Sequence, residues 1–398
     1  MVTNGGYKKI FKSRLALAHH YVPDRLLYRE EEINKLRLYL SFALEGDTPP
    51  NVVLFGHTGT GKTAVVKFVL RELRERLETD DVLFGYAVAS TSPAKTLADV
   101  LTDMGVGVKH YRGQLLWEVL DVFKDATRGR IAVVIIDEID KLIYAGKSEE
   151  LLYHLTRTIG VSIVAISNKL FLEGKISDVR VLSSWRPRKI LFNPYDAEQL
   201  RDILEYRASL GFEEGVLEDD VIPYVSAVTV QNGGDVRFGL DVLLTAGDLA
   251  IERGVEKIDV DLAKEAVREV EDKYVLDSIN KMTDYEKLLL LVVLVNDFIS
   301  PSEAYQKCNE LIEKKIFEGL EKKAYRTWAL YRNKLELMGF VELVKKGQGL
   351  GRGWRYFIKF PECYDKYTVL QALIGSLPLV NRDNGDTLIQ LARVLPRR

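Results

Sequence analysis

Three glycines fall within the eight residues "GHTGTGKT" (Gly56 to Thr63), and the flanking runs differ in kind. "NVVLF" before them is a short apolar run, whereas "AVVKFVLRELRERL" (Ala64 to Leu77) after them carries an apolar stripe at helical spacing. A buried strand that ends in a glycine loop and continues as a helix predicts a parallel sheet with that helix packed on its face. Gly56, Gly61, Lys62 and Thr63 also satisfy the spacing GxxxxGK[ST]. In such a loop the backbone N–H groups converge on phosphate oxygens, and the following helix adds its positive end. Lys62 is expected to neutralise the β- and γ-phosphates of a nucleoside triphosphate, and the Thr63 hydroxyl to ligate Mg²⁺. His57, Thr58, Gly59 and Thr60 complete the cradle.

The alternation continues along the chain. "VLFGYAVA" (Val82 to Ala89), "IAVVIID" (Ile131 to Asp137), "VSIVAISN" (Val161 to Asn168) and "KILF" (Lys189 to Phe192) read as strands, separated by helical stretches at Leu97 to Met104, Gln114 to Phe123 and Glu149 to Ile159. The expected fold is α/β with a parallel sheet. A carboxylate at the end of a buried strand needs a partner. Asp137 therefore fits the residue that organises Mg²⁺, and Glu138 a base that orients water against the γ-phosphate. Asn168, at the end of the next strand, can hold that water.

After Asn193-Pro194-Tyr195 the pattern is helical from Ala197 to Lys273, broken near Gly211–Gly215 and Gln231–Gly234. A third section has helices at Tyr285–Val295, Ser302–Lys314 and about Lys322–Met338, then "VELVKKGQGLGRGWRYFIKF" (Val341 to Phe360), two short strands around a basic glycine-rich tip. Helix, helix, helix, hairpin is the outline of a winged helix. Three domains are expected: a nucleotide-binding base over 1–194, a helical lid over 195–278 and a winged-helix domain over 279–398. The first twenty residues hold four Lys and Arg and no acid, and read as a mobile basic arm.

The order GHTGTGKT, IIDEID, AISN and "GGDVRFGLDVLLTAGDLA" (Gly233 to Ala250) resembles AAA+ ATPases of the archaeal replication-initiator family, relatives of the eukaryotic origin-recognition and cell-division-control proteins. "YVPDRLLYREEEI" (Tyr21 to Ile33) and "SDVRVLSSWRPRKILFNPYDAEQL" (Ser177 to Leu200) are similar to two further stretches of that family. The resemblance implies that Tyr21, Val22, Arg29 and Tyr195 belong to the nucleotide site, the first of these stretches packing around the adenine. It implies that Arg237 is a lid arginine touching the γ-phosphate. Arg180, or in second place Arg186, would be a finger offered to a neighbour's nucleotide. Lys169 stands where the family commonly has an acid, and His57 where it has lysine or proline. The expected cofactors are ATP or ADP with Mg²⁺.

The chain is −2 overall, yet residues 300–360 carry thirteen bases against seven acids. Segregated positive charge suits phosphate contact. Within "KKAYRTWALYRNKLELMGF", Trp328, Leu335 and Met338 are expected to face the core, with Leu330 or Tyr331 beside them. Arg326, Arg332 and Asn333 would face a major groove. Lys345, Lys346, Arg352 and Arg355 lie at the expected wing. The family also has a DNA-touching insertion near "MGVGVKHYRGQ", where Lys109 and Arg112 are candidates.

The resemblance implies origin DNA as substrate, further subunits of the same family (a paralogue among them), the replicative helicase as client, and slow turnover. Competing readings are a winged-helix transcription regulator that keeps the nucleotide site, a AAA+ loader or motor, and a purely structural ATP-bound platform. Two cysteines without a CxxC spacing exclude a disulfide framework and argue against a zinc site. No apolar run reaches the ~18 residues of a membrane span, and no signal-peptide core is evident. A cytoplasmic, nucleoid-associated protein is expected.

Overall fold

The computed structural model describes residues 10–77, 79–107, 115–169, 172–296, 298–347, 354–362 and 364–378. The chain forms two compact units, residues 1–267 and 268–398. The first unit begins with α1 (Glu30–Ser41) and β1 (Val52–Gly56), followed by α2 (Lys62–Glu75), β2 (Val82–Val88), α3 (Pro93–Asp103) and α4 (Leu116–Ala126). Next come β3 (Ile131–Asp137), α5 (Asp140–Tyr144), α6 (Glu149–Leu155), β4 (Val161–Ser167), α7 (Val179–Ser184) and β5 (Arg188–Phe192). All five strands expected from the apolar runs are present, in the order β2-β3-β4-β1-β5 and parallel throughout.

Strand side chains alternate between faces, so each strand serves two cores. Val52, Leu54, Val133, Ile135, Val164 and Ile166 pack on the side of α1 and α2. Val53, Ala132, Val134, Ile136, Ile163 and Ala165 pack on the side of α3, α4 and α6. The strand order sets the carboxyl ends of β3, β4 and β1 side by side. Asp137, Asn168 and the glycine loop therefore emerge at one edge, where open α/β sheets bind ligands.

A helical lid follows: α8 (Ala197–Gly211), α9 (Val221–Gln231) and α10 (Val236–Arg253). Asp196 and Gln199 form a capping box at the start of α8, and the Asp235 carboxylate caps α10 by accepting the Arg237 N–H at 2.9 Å. From residue 10 onward the N-terminal segment is packed on this lid, in contrast to the mobile arm expected from its charge. Ile10, Phe11, Ala16 and Leu17 are buried. The Phe11 ring stacks on Phe212 at 5.2 Å, Arg14 pairs with Asp248, and Arg207 donates to the carbonyls of Ala16 (2.6 Å) and Ala18 (3.0 Å). Apolar residues between the bases anchor the segment, a signal that charge counting overlooks.

The division between the units falls inside α11 (Val260–Asn280). The second unit contains α12 (Asp284–Leu294), α13 (Pro301–Glu313), α14 (Tyr325–Leu337), β6 (Glu342–Gly347), β7 (Trp354–Lys359) and α15 (Lys366–Ser376). Helix α12 is buried along its whole length from Leu288 to Leu294, as expected of a helix apolar on every side. Strands β6 and β7 pair antiparallel, and Ile299 joins them by exchanging two backbone hydrogen bonds with Ile358, at 3.1 and 2.7 Å. This is a winged helix with one additional helix, α15, whose Val369 and Leu373 complete the core. Among the described residues no helix is long and apolar enough to cross a membrane.

The contact between Phe11 and α10 is close enough to test. A Cβ built at Gly247 would come to 2.2 Å from the edge of the Phe11 ring, and that ring is itself buried against Phe212. Gly247→Ala should therefore destabilise the protein by about 1–3 kcal/mol through overpacking. In a Phe11→Ala background the same change should be neutral or stabilising, because alanine exceeds glycine in a helix by about 1 kcal/mol. Urea unfolding midpoints of the four proteins check this.

Candidate nucleotide site and winged-helix face

The glycine loop wraps around its own lysine. Lys62 is 5% exposed, and its Nζ donates to the carbonyls of Gly56 (2.9 Å) and His57 (2.6 Å). Burial, and next the nearby Arg237, push its pKa down to about 8, against the opposing pull of Asp137, Asp140 and Asp235. Gly59 sits at φ 75°, and a Cβ there would fall within the Asp235 carboxylate that caps α10. The loop and the start of the lid helix thus meet with the Asp235 carboxylate against Gly59, and Arg237 lines the same cavity as Lys62.

At the end of β3, Asp137 is 5% exposed and accepts three hydrogen bonds. The Thr63 hydroxyl donates at 2.7 Å, the Tyr86 hydroxyl at 2.8 Å and the Glu138 N–H at 2.8 Å. Burial and Asp137 together raise the Tyr86 pKa. Glu138 adopts φ 54°, in the left-handed region, and its carboxylate pairs with Lys141. Asn168 donates its N–H to Asp140 at 3.3 Å.

A cavity of about 510 Å³ collects these groups. Thr58, Gly59, Thr60, Gly61, Lys62, Thr63, Asp137, Glu138, Asn168 and Arg237 line it, as do Tyr21 and Val22. His19, His20, Lys67 and Arg207 line it too and were not singled out from the sequence. Arg207 is buried, which pulls its pKa down to about 10, and its guanidinium lies 5.3 Å from the Tyr21 ring. Its signal was available, since an arginine among the apolar positions of an amphipathic helix faces inward.

Six residues expected at a nucleotide site lie away from this cavity's lining: Gly56, His57, Arg29, Tyr195, Arg180 and Arg186. Gly56 and His57 contribute backbone carbonyls to Lys62. Arg29 is buried behind the loop, donating to the Thr60 carbonyl at 2.9 Å and the Asn193 carbonyl at 2.8 Å. Tyr195 stacks on it, 3.8 Å from guanidinium to ring centroid, and its hydroxyl approaches Gly61. Arg29 and Tyr195 therefore brace the loop from outside. Arg180 is also remote from the cavity. It is exposed, paired with Asp178 at 2.7 Å and 5.0 Å from the Tyr153 ring. Arg186 is exposed as well.

On the winged helix, Trp328 and Leu335 are buried and Met338 and Tyr331 pack partly against the core, while Leu330 is 63% exposed. Arg326 and Asn333 are exposed on the outer face of α14. Arg332 is only half-exposed. Its Nε is buried without a hydrogen-bond partner among the described residues, and its Nη2 donates to the Asn333 side-chain amide oxygen Oδ1 at 2.7 Å. Lys345 and Arg355 are exposed on the hairpin. Lys109, Arg112 and Arg352 lie outside the described residues, as does the side chain of Lys346.

A P-loop on a five-stranded parallel sheet, a helical lid closing on it and a winged helix in the same chain define a AAA+ ATPase of the lid-bearing type. A family profile described as "AAA domain" matches residues 46–172, and one described as "Cdc6 AAA+ ATPase-type lid domain" matches residues 201–268. An ORC1-type DNA replication protein of Methanothermobacter thermautotrophicus is 36% identical over 370 residues, covering 93% of this chain and 98% of the relative. A protein of the same description from Archaeoglobus fulgidus is 39% identical over 292 residues, 71% of each chain. The structure of the Aeropyrum pernix ORC1 protein in complex with DNA superposes with a TM-score of 0.80 at 32% identity, covering 96% of this chain and 99% of that one. The chain belongs to the ORC1-type DNA replication protein family.

The depressed pKa of Lys62 has a sign that can be measured. A bound phosphate favours the charged ammonium and raises that pKa above about 8. Nucleotide binding should therefore take up a proton above pH 8 and none from this group well below it. Affinity should fall as pH rises through 8, by up to about tenfold per pH unit. Calorimetric titrations in two buffers of different ionisation enthalpy read the proton uptake directly.

Proposed function

We propose that this chain is an ATP-switched, DNA-binding replication initiator that recognises origin DNA and helps to bring the replicative helicase to it. The observation that carries this reading is the convergence of Lys62, the Thr63–Asp137 pair, Asn168 and Arg237 on one cavity, in a chain that also bears an exposed basic winged helix. The sequence relatives are replication proteins, and the similar Aeropyrum protein was solved with DNA.

In this reading Lys62 and the loop N–H groups hold the β- and γ-phosphates, and Tyr21 and Val22 pack beside the base. Thr63 and Asp137 supply one hydroxyl and one carboxylate. Among the described residues no group of three or more His, Cys, Asp or Glu is placed to hold a metal ion. That donor set suits Mg²⁺, which is bound by few protein groups and completes its shell with phosphate oxygens and water. Glu138 orients the attacking water, Asn168 holds it, and Arg237 reports the γ-phosphate to the lid. Arg180 is offered to the nucleotide of a neighbouring subunit of the same family. The Glu138 carboxylate is paired with Lys141 on the exposed side of the site, and slow turnover with the nucleotide as a state label is part of this reading. The working parts are the base over 1–194, the lid over 195–278 and the winged helix over 279–398. Arg326 and Asn333 face the DNA bases, while Lys345 and Arg355 contact its backbone. A chromosomal substrate puts the protein at the nucleoid, in the cytoplasm.

Two experiments test this. Glu138→Gln should reduce ATP hydrolysis by about 10²–10⁴-fold with nucleotide affinity retained; an unchanged rate rejects the assignment. Fluorescence anisotropy of origin and scrambled duplexes across a salt series should show a preference for the origin. Asn333→Ala should erase about 1–3 kcal/mol of that preference while the salt-dependent background binding persists. Equal affinity of the unmodified protein for both duplexes would reject base recognition by this helix.

A further inference from the structure

The hydrogen bonds at Asp137 can be counted against its lone pairs. Each carboxylate oxygen has two acceptor positions. Oδ2 accepts from the Thr63 hydroxyl at 2.7 Å and from the Tyr86 hydroxyl at 2.8 Å, so both of its positions are filled. Oδ1 accepts from the Glu138 N–H at 2.8 Å and keeps one position. A cation could bond directly to Oδ2 only if one of the two hydroxyls left.

We propose that Tyr86 is a positioning residue for the cation that accompanies the nucleotide. Its phenol occupies the second acceptor position of Oδ2 and so keeps Asp137 bound to the Thr63 hydroxyl. The carboxylate would then hold in place the hydroxyl that serves the cation, while Oδ1 keeps one acceptor position. The proposal rests on the reading of Thr63 and Asp137 given above.

The placement of Tyr86 is over-determined. It lies on β2, paired in register with Ile135, two residues before Asp137. Val82 and Phe84 are buried under α2, and Tyr86 continues that side of the strand. The Tyr86 N–H donates to the Asp103 carboxylate at 2.8 Å, and Arg74 holds the same oxygen at 2.6 Å. The Lys67 ammonium lies 5.1 Å from the ring centroid. Lys67 is one turn beyond Thr63 on α2 and lines the nucleotide cavity. The strand pairing and the Asp103 carboxylate fix the backbone of Tyr86, Lys67 flanks its ring from α2, and the hydroxyl reaches Asp137 at 2.8 Å.

The alternative is that the phenol merely satisfies itself on the nearest acceptor. A purely structural role would not alter metal dependence. The test uses the full chain and a fluorescent ADP analogue, titrated at a series of free Mg²⁺ concentrations and in excess chelator. Tyr86→Phe keeps the ring and its contact with Lys67 and removes only the oxygen. It should retain the Mg²⁺-free affinity for the analogue but require about tenfold more Mg²⁺ for half-maximal tightening. With ATP at saturating Mg²⁺ the KM should be unchanged and kcat lowered. A Tyr86→Phe protein with the unmodified Mg²⁺ midpoint overturns the proposal. So does one that loses affinity equally with and without Mg²⁺. Asp137→Asn is the control for the underlying reading. If that variant keeps the unmodified Mg²⁺ response, Asp137 does not organise the cation, and the site assignment fails before Tyr86 is considered.

Discussion

Lys62 and Arg237 bring two positive charges to one cavity from elements of different origin, the P-loop and the lid. Burial of the Lys62 ammonium is the larger cost and repulsion by Arg237 adds to it, which is why the Lys62 pKa falls to about 8. The carboxylates nearby offset part of this. Asp137 is already engaged by three donors, and Asp235 is committed to the start of α10. A polyphosphate resolves the repulsion, because it is attracted to both cations at once. In the proposed reading lid position and nucleotide charge are linked, because an anion on Lys62 also attracts Arg237 at the same cavity.

The sheet makes this linkage possible. Its order, β2-β3-β4-β1-β5, puts the Mg²⁺-organising candidate, the polar sensor candidate and the glycine loop on adjacent strand ends. Arg29 then fixes the loop from behind, tied to the Thr60 and Asn193 carbonyls and stacked on Tyr195. A buried guanidinium satisfied by carbonyls holds the loop backbone without occupying space meant for a ligand. On the other side Arg207 holds the carbonyls of Ala16 and Ala18, which keeps the segment containing Tyr21 against the cavity mouth. Two buried arginines thus shape the site, and neither role required contact with the nucleotide.

The winged helix shows a similar separation between charge and placement. Its excess of bases is a property of composition, but the individual bases differ. Lys334 is tied to the buried Glu286 at 2.7 Å and Lys322 pairs with Glu313. Arg332 is drawn along the core beside Trp328. The outward face of α14 includes Arg326, Leu330, Asn333 and Leu337. A surface of this kind combines a charge, an apolar group and an amide, the three contact types that distinguish base edges in a major groove.

The five strands, the glycine loop, Asp137 at a strand end and the helix–hairpin outline are legible in contiguous residues. These depend on the two-residue period of strands, the 3.6-residue period of helices and the conformational range of glycine, all of which are local. The tertiary structure decided the rest. Arg29 meets Thr60 across 31 positions, and Tyr86 meets Asp137 across 51. Phe11 meets the helix containing Gly247, and charge alone had suggested a free arm. The alternation of β2 placed Tyr86 on the side of α2, yet nothing in that strand announced a partner on β3. Partners of this kind are chosen by strand order and by which side chains share a layer, and those are properties of the folded chain that no single segment encodes.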